Sequence, residues 1–340
     1  MMNNILIQGE NIDGLKYLLN ERSLAGKVDL VYIDPPFATN CKFTITNGRA
    51  TTISNSNSGE VAYTDNLLGQ DFVEYIKARL LLIKELLSDR GSIYLHTDYK
   101  IGHYLKVMMD EVFGIENFRN DITRIKCNPK NFKRIGYGNI KDMILFYTKS
   151  SKPIWNEPKE PYSEDDIVKL FPKVTKDGKR YTTVPIHAPG ETQNAKPFKG
   201  LMPPAGRHWR TDVETLEQWD NDGLIEWSST GNPRKIVFAE EKSGKRVQDI
   251  WSSYKDPQYP VYPTEKNQNF IDLIVETSSN PGSIVLDCFC GSGTTLKSAS
   301  DLGRFWIGID KSPLAIKVTK DKMKLQSSLF SDNSYDFIEI

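Results

Sequence analysis

Cysteine is scarce in this 340-residue chain, with only Cys41, Cys127, Cys288 and Cys290. Their spacing matches no disulfide framework, and Cys288-x-Cys290 lacks the C-x2-C interval of common metal sites. A reduced, cytoplasmic enzyme without a metal is therefore expected. An excess of charge of one sign is missing too, because 44 basic side chains balance 44 acidic ones. That excludes a uniformly basic protein, so affinity for a polyanion has to come from a local basic face. No apolar run reaches the ~18 residues that a membrane helix needs. The start Met1-Met2-Asn3-Asn4-Ile5 has no basic segment followed by a long apolar one, and no internal repeat or heptad array is visible.

What is present is apolar patterning of α/β type at both ends of the chain. Ile5-Leu6-Ile7-Gln8-Gly9-Glu10 reads as a short strand ending in glycine and an acid, followed by a helix carrying Ile12, Leu15, Leu18 and Leu19. Asp29-Leu30-Val31-Tyr32-Ile33 is a buried strand that stops at Asp34-Pro35-Pro36-Phe37, since proline fixes φ and has no N–H for a ladder. Residues 38–66, rich in Asn, Ser, Thr and Gly, read either as a surface loop or as a lid leaving directly from Phe37. A helix is expected from Asp71 on the spacing of Phe72, Ile76, Leu80, Ile83 and Leu87, ending at Arg90-Gly91. The strand Ser92–His96, a helix from Tyr104 to Phe113, and the strands Ile122–Ile125 and Met143–Tyr147 follow. Between the last two lies a basic stretch, Lys126 to Arg134, which is either a solvated hairpin loop or a phosphate-contacting finger.

From about Ser150 to Ser253 the composition shifts to Pro, Trp, Lys and Glu, which reads as an inserted, irregular, partly β module. Within it, Gly206-Arg207-His208-Trp209-Arg210 pairs cations with an indole, as either a Trp packed under Arg stems or a DNA contact. The α/β pattern returns from Tyr262, with a helix over Asn267–Ser279 and a strand over Ser283–Asp287. A glycine loop from Cys288 to Thr295 then opens a helix, and a strand Phe305–Asp310 and a helix Ile316–Leu325 follow. The last fifteen residues carry no pattern and are expected to fray.

A strand, a Gly-x-Gly turn, a helix and a second strand ending in an acid form a nucleoside-binding unit, in which Asp310 reaches a ribose diol. A P-loop requires a lysine that Gly293-Thr294-Thr295 lacks, and a dinucleotide site requires a small residue where Leu296 stands. Asp287, just before the turn, repels a pyrophosphate and attracts a cation, which favours S-adenosylmethionine over NAD or ATP. At the other end, the Asp34 carboxylate and the Pro35 carbonyl are two acceptors for the N–H bonds of an aromatic amine, whose lone pair is otherwise delocalised. Phe37 offers a stacking face. The base has to leave the duplex first, and catalysis is positioning and charge placement without a covalent intermediate.

These residues resemble the amino-group DNA methyltransferases, in particular the permuted β-class enzymes that make N6-methyladenine. Asp34-Pro35-Pro36-Phe37 is similar to their DPPY or DPPF tetrapeptide, and Asp287 through Thr295 to their DPFxGSGTT loop. Tyr262-Pro263-Thr264-Glu265-Lys266 is similar to HPTEKP, and Gly9-Glu10-Asn11 to GDNL. Gly206 to Arg210 and Asp249-Ile250-Trp251 are similar to stretches of type III modification subunits. The departures are Phe37 for Tyr, Cys288 for Pro, Tyr262 for His, Asn267 for Pro and Glu10 for Asp.

The resemblance implies an α/β, Rossmann-like, circularly permuted methyltransferase fold, with a seven-stranded, mostly parallel sheet and one antiparallel element. Residues 1–150 are then the catalytic half, 151–253 a target-recognition module, 254–328 the cofactor half and 329–340 a tail. The implied function is site-specific N6-adenine methylation of double-stranded DNA in a restriction-modification system, with S-adenosyl-L-methionine as cofactor. A separately encoded endonuclease and a second copy of the chain are candidate partners. Asp34, Pro35, Pro36 and Phe37 are the implied catalytic residues. Glu10, Asn11, Thr264, Lys266, Asp287, Phe289, Cys290, Gly291, Gly293 and Asp310 are the implied cofactor contacts. Lys130, Lys133, Arg134, Arg207, Trp209 and Arg210 are the DNA candidates. N4-cytosine methylation and a non-catalytic recognition partner of the same fold are the alternatives. Asp34, where N4 enzymes more often carry Ser, favours adenine.

Overall fold

The computed structural model describes residues 3–35, 42–46, 49–51, 60–64, 69–128, 135–190, 196–257, 265–324 and 334–340. The chain forms two compact units, one of Met1–Pro158 with Gln248–Ile340 and the other of Lys159–Val247. The first begins with β1 (Asn4–Gln8), α1 (Asn11–Asn20) and β2 (Val28–Ile33). It continues through α2 (Gly69–Leu86), β3 (Leu87–Thr97), α3 (Gly102–Phe113), β4 (Phe118–Ile125) and β5 (Lys141–Thr148). The chain returns to this unit with β6 (Ile250–Trp251), α4 (Gln268–Ser278), β7 (Ile284–Asp287) and α5 (Thr294–Asp301). It closes with β8 (Phe305–Asp310), α6 (Pro313–Lys324) and β9 (Tyr335–Glu339).

These strands form one sheet in the order β6-β4-β5-β3-β2-β7-β8-β1-β9, in which β5 alone runs against its neighbours. The sheet has nine strands where the resemblance implies seven, and the two additions are its edges. β6 pairs with β4, Ile250 opposite Thr123, so Ile250 and Trp251 belong to the sheet and not to the inserted module. β9 pairs with β1 from Tyr335 opposite Asn4 to Glu339 opposite Gln8, so part of the expected tail is a strand. β6 is only two residues long and β9 is half-exposed, so neither presents a buried apolar run.

At the centre, β2 and β7 are parallel neighbours, with Leu30 opposite Val285 and Val31 opposite Leu286. All four are fully buried, as a parallel strand covered on both faces requires. From β2 the sheet runs one way through β3, and from β7 the other way through β8. The carboxyl ends of β2 and β7 therefore meet where strand order reverses, the usual ligand crevice of an open α/β sheet. Helices cover the sheet with Leu15, Leu18, Ile76, Leu80, Ile83, Leu105 and Met109, which share a core with Val31, Ile33, Ile93 and Leu95.

Two local readings change. The second helix ends at Leu86, and Gly91 lies inside β3 near a bulge in its pairing with β2. A Cβ on Gly91 would come within 2.7 Å of the Leu87 side chain and 3.0 Å of two backbone oxygens, so this glycine serves a close approach and not a helix stop. Within residues 38–66, Lys42–Thr46, Arg49–Thr51 and Glu60–Thr64 pair as a three-stranded antiparallel sheet.

The Lys159–Val247 unit is partly β, as its composition suggests. Its four-stranded antiparallel sheet joins Lys173–Val174, Arg180–Pro185, Pro233–Phe238 and Ile225–Trp227. Ser163 and Asp166 form a capping box at the start of the helix Glu164–Leu170. Among the described residues, no helix of the chain is long and apolar enough to cross a membrane.

Candidate active site

Asp34 follows directly on β2, and Pro35 ends any continuation of the ladder. The carboxylate has two unequal oxygens. Oδ2 lies 2.6 Å from Lys266 Nζ, an ion pair whose side chains are 15% and 9% exposed. Among the described residues, Oδ1 is buried and has no hydrogen-bond partner. The group facing Oδ1 is His96, at the end of β3, whose Nδ1 is 3.7 Å away.

His96 explains why Oδ1 stays open. Its Nε2 lies 3.2 Å from Asp142 Oδ2, and its Nδ1 is 2.8 Å from the Tyr32 hydroxyl. Burial and the nearby Asp34 charge push the Tyr32 phenol well up, so it remains a donor. Asp142 is held well below the usual carboxylate range. Burial opposes its ionisation, but the bond from His96 and the charges of Lys126 and Lys266 outweigh that. The pairing that satisfies every member has Nε2–H donating to Asp142 and Nδ1 accepting from Tyr32. In that tautomer the Nδ1–Asp34 approach is not a hydrogen bond.

Charge in this buried layer is balanced across strands. Lys126 Nζ donates to Asp142 Oδ1 at 2.6 Å, and Arg124, fully buried, pairs with Asp256 and stacks 4.6 Å from the Phe270 ring centroid. Burial alone would lower the Lys266 ammonium, but Asp34, Asp256 and Asp142 together leave its pKa above the ordinary lysine range. His96, Asp142, Arg124 and Asp256 play no part in the sequence reading. The available signal was charge within or beside apolar strand runs, since such residues are seldom fully buried unless paired.

The second part of the site is the loop after β7. Asp287 accepts the Phe289 N–H at 3.0 Å and is buried, with a carboxyl pushed up to about 7 by desolvation and by the charges of Asp34 and Asp310. Asp310 ends β8 and shapes the loop. Its Oδ2 accepts the Gly291 N–H and its Oδ1 the Ser312 N–H, each at 2.9 Å. Thr319 donates to the Gly291 carbonyl at 3.0 Å. Gly293, the residue before α5, has φ +76°, and a Cβ there would meet Thr319 Oγ1 at 2.8 Å, so only glycine fits. Cys288 and Cys290 are buried free thiols, both pushed up by burial, and Cys127 is also free.

The other sequence candidates fall in different places. Glu10 lies 3.3 Å from Lys311 and 3.8 Å from Arg79, and Arg79 Nε donates to the Asn11 side chain. Phe289 is half-buried with its ring 6.5 Å from that of Tyr75. Lys266, expected at the cofactor, forms its ion pair with the catalytic candidate Asp34. Asn267, where the resemblance has Pro, caps α4 by accepting the Asn269 N–H at 2.9 Å. Trp209 packs on the small core of Ile186, Phe198, Leu216 and Ile225 and donates its N–H to the Lys196 carbonyl, while Arg207 and Arg210 are exposed. The indole is thus a packing residue. Pro36, Phe37, Lys130, Lys133, Arg134 and Thr264 lie outside the described residues.

Known proteins resemble this chain along most of its length. The family described as DNA methylase, covering N6 and N4 methyltransferases, matches residues 28–321. The type II methyltransferase M.EcaI of Enterobacter cloacae is 39% identical over 336 residues, 97% of this chain and 71% of that protein. The StyLTI Mod subunit, a type III restriction-modification enzyme of Salmonella typhimurium, is 26% identical over 86% of this chain, which spans 49% of its length. Among solved structures, the DNA modification methylase TTHA0409 of Thermus thermophilus, complexed with S-adenosyl-L-methionine, superposes with a TM-score of 0.51 at 13% identity, over 99% of this chain and 98% of that one. The cytosine-N4-specific PvuII DNA methyltransferase does so with 0.50 at 13%, over 98% and 89%. At these identities the likeness speaks for the fold alone. With the sequence match running from the first residue of β2 into α6, the chain belongs to the DNA methylase family of N6 and N4 methyltransferases.

Proposed function

We propose that this enzyme transfers a methyl group from S-adenosyl-L-methionine to the N6 amine of an adenine flipped out of double-stranded DNA. Its setting is a restriction-modification system, which the name of the StyLTI Mod subunit supports, and its place in the cell the cytoplasm. The observation that carries the reading is the Asp34 carboxylate, anchored through one oxygen while the second is buried and has no partner among the described residues. A buried acceptor without a donor costs roughly 1–3 kcal/mol, which a substrate N–H would recover.

In this reading Asp34 Oδ1 and the Pro35 carbonyl each accept one N–H of the amine, which concentrates its lone pair on nitrogen. Phe37 stacks on the base. Asp287 suits a cationic ligand, since a buried carboxyl raised to about 7 gains most from a positive charge. The sulfonium of S-adenosylmethionine supplies that charge and the electrophilic methyl. The loop from Asp287 to Gly293 holds the methionine portion, and Asp310, with lone pairs left after two N–H bonds, holds the ribose. Glu10 and Asn11 border the adenine of the cofactor, and the Lys159–Val247 unit reads the target, with Arg207 and Arg210 its exposed cations. A separately encoded endonuclease and a second copy of the chain are the partners to look for.

Incubation with labelled S-adenosylmethionine and plasmid DNA tests the reading. Label in N6-methyladenine at one sequence context is the expected result. Label in N4-methylcytosine, or no transfer by folded protein, would refute it.

A further inference from the structure

The Lys266 contact goes beyond this reading. We propose that Lys266 is the positioning residue of Asp34, holding one carboxylate oxygen so that the other meets the substrate amine, and that the glycine loop sets Lys266 through Glu265 and Lys322. The proposal rests on the adenine-methyltransferase reading of the site.

A carboxylate on a single bond can rotate and exchange its oxygens. At Asp34 the orientation is fixed by Lys266 Nζ, which holds Oδ2 at 2.6 Å, while His96 Nδ1, engaged by Tyr32, lies 3.7 Å from Oδ1. The strong donor to Asp34 is therefore on the side away from the free oxygen. The ammonium faces Asp34 directly and Asp142 and Asp256 through the buried layer, while Arg124 and Lys126 balance the latter two. Removing Lys266 frees the carboxylate to turn toward those cations or to draw in water.

Lys266 is held from behind. Glu265, its neighbour in the chain, accepts from Lys322 Nζ at 2.8 Å. Lys322, on α6, also lies 3.3 Å from Ser292 Oγ and 3.3 Å from Thr294 Oγ1. Those two residues are the glycine loop and the first turn of α5. On the other side Asn267 caps α4 and donates to the Lys255 carbonyl at 2.8 Å. The dipeptide Glu265-Lys266 thus bridges the loop after β7 and the acid after β2, and the geometry of one is transmitted to the other. A loop closed around cofactor locks the acceptor for the amine, so cofactor binding and productive amine binding are coupled.

The test is single-turnover methylation with both substrates saturating, for wild type, Lys266→Met, Lys266→Arg and Lys322→Met. Misplacing a catalytic group by about 1 Å costs on the order of a hundredfold, so Lys266→Met should lose about that much rate. Its Kd for S-adenosylmethionine should stay within about threefold, and ethylammonium added to Lys266→Ala should restore part of the rate, as a filled ion-pair site does and a merely structural role does not. Lys266→Arg should recover about tenfold over Lys266→Met, and Lys322→Met should lose about tenfold in rate while remaining folded. If Lys266→Met does not fold, the Arg and Lys322 variants decide, and unchanged rates in both overturn the proposal. So does a Lys266→Met enzyme with the wild-type rate, or one whose only defect is a raised Kd for S-adenosylmethionine, which makes Lys266 a cofactor contact. Absence of adenine methylation by wild type itself refutes the underlying reading, a different result from any of these.

Discussion

Asp287 carries a carboxyl that water does not reach, at the end of a central strand and near two other acids. Desolvation together with Asp34 and Asp310 raises it to about 7, so near neutral pH the ligand-free protein holds it as a mixture of acid and carboxylate. A cationic ligand binds the carboxylate form. Its apparent affinity is then reduced by the factor 1 + 10^(pKa − pH), about 11 at pH 6 and about 1.3 at pH 7.5, so Kd should tighten about eightfold between them. The sulfonium charge does not titrate in this range, and the α-amino group loses only about a quarter to two-fifths of its proton by pH 7.5. Binding at pH 6 should also release close to one proton, which calorimetry in buffers of different ionisation enthalpy reads directly. The sign for folding is opposite. A carboxyl whose folded pKa lies above its unfolded value stabilises the protein fully below about pH 4, and this is lost as pH rises through about 7, a change on the order of 4 kcal/mol. The ligand-free enzyme should therefore melt lower at pH 7.5 than at pH 5.5. Asp287→Asn should remove the pH dependence of Kd, the proton release and this part of the melting trend. A wild-type Kd that does not move with pH, or an unchanged slope in Asp287→Asn, would show that Asp287 does not meet the cation.

Other predictions concern single contacts. Asp34→Asn should lower the methyl-transfer rate by about 10²–10³ while leaving the S-adenosylmethionine Kd nearly unchanged, as loss of a preorganised acceptor does. Asp142→Ala leaves Lys126 and His96 facing an empty buried site and should cost about 3–5 kcal/mol in denaturant unfolding; a loss below about 1 kcal/mol would mean that the pair is hydrated. Gly293→Ala forces a left-handed alanine and a clash with Thr319, and should destabilise by about 1–2 kcal/mol or more, with Thr319→Ala relieving the steric part. Arg207→Ala and Arg210→Ala should each reduce the salt slope of DNA binding by about one. Trp209→Ala should instead lower the melting temperature of the Lys159–Val247 unit, and loss of DNA affinity without loss of stability would contradict its packing role.

The α/β character, the two central strands and the two acids at their ends were all legible in the chain. Each is a local signal: an apolar run long enough for a buried strand, stopped by proline at Asp34-Pro35 or opened by glycine at Gly291 and Gly293. The edge strands β6 and β9 were not legible, because pairing at a sheet edge is decided by a neighbour and asks little of side-chain pattern. Gly91 shows the same limit. Its meaning depends in part on the Val28 carbonyl, which lies 3.0 Å from where a Cβ would stand and is far away in sequence.

The chain by itself determined what chemistry could be done, since an acid next to the Pro35 carbonyl, and an acid before a glycine turn, are covalent neighbours wherever the chain goes. Only the tertiary structure decided that the two acids end adjacent strands, that Lys266 returns from far along the chain to hold Asp34, and that one Asp34 oxygen has no hydrogen-bond partner among the described residues. Those pairings are made across strands that follow one another in space and not in sequence. The energy of a buried charge depends on its spatial neighbours, so residue type and spacing could not supply them.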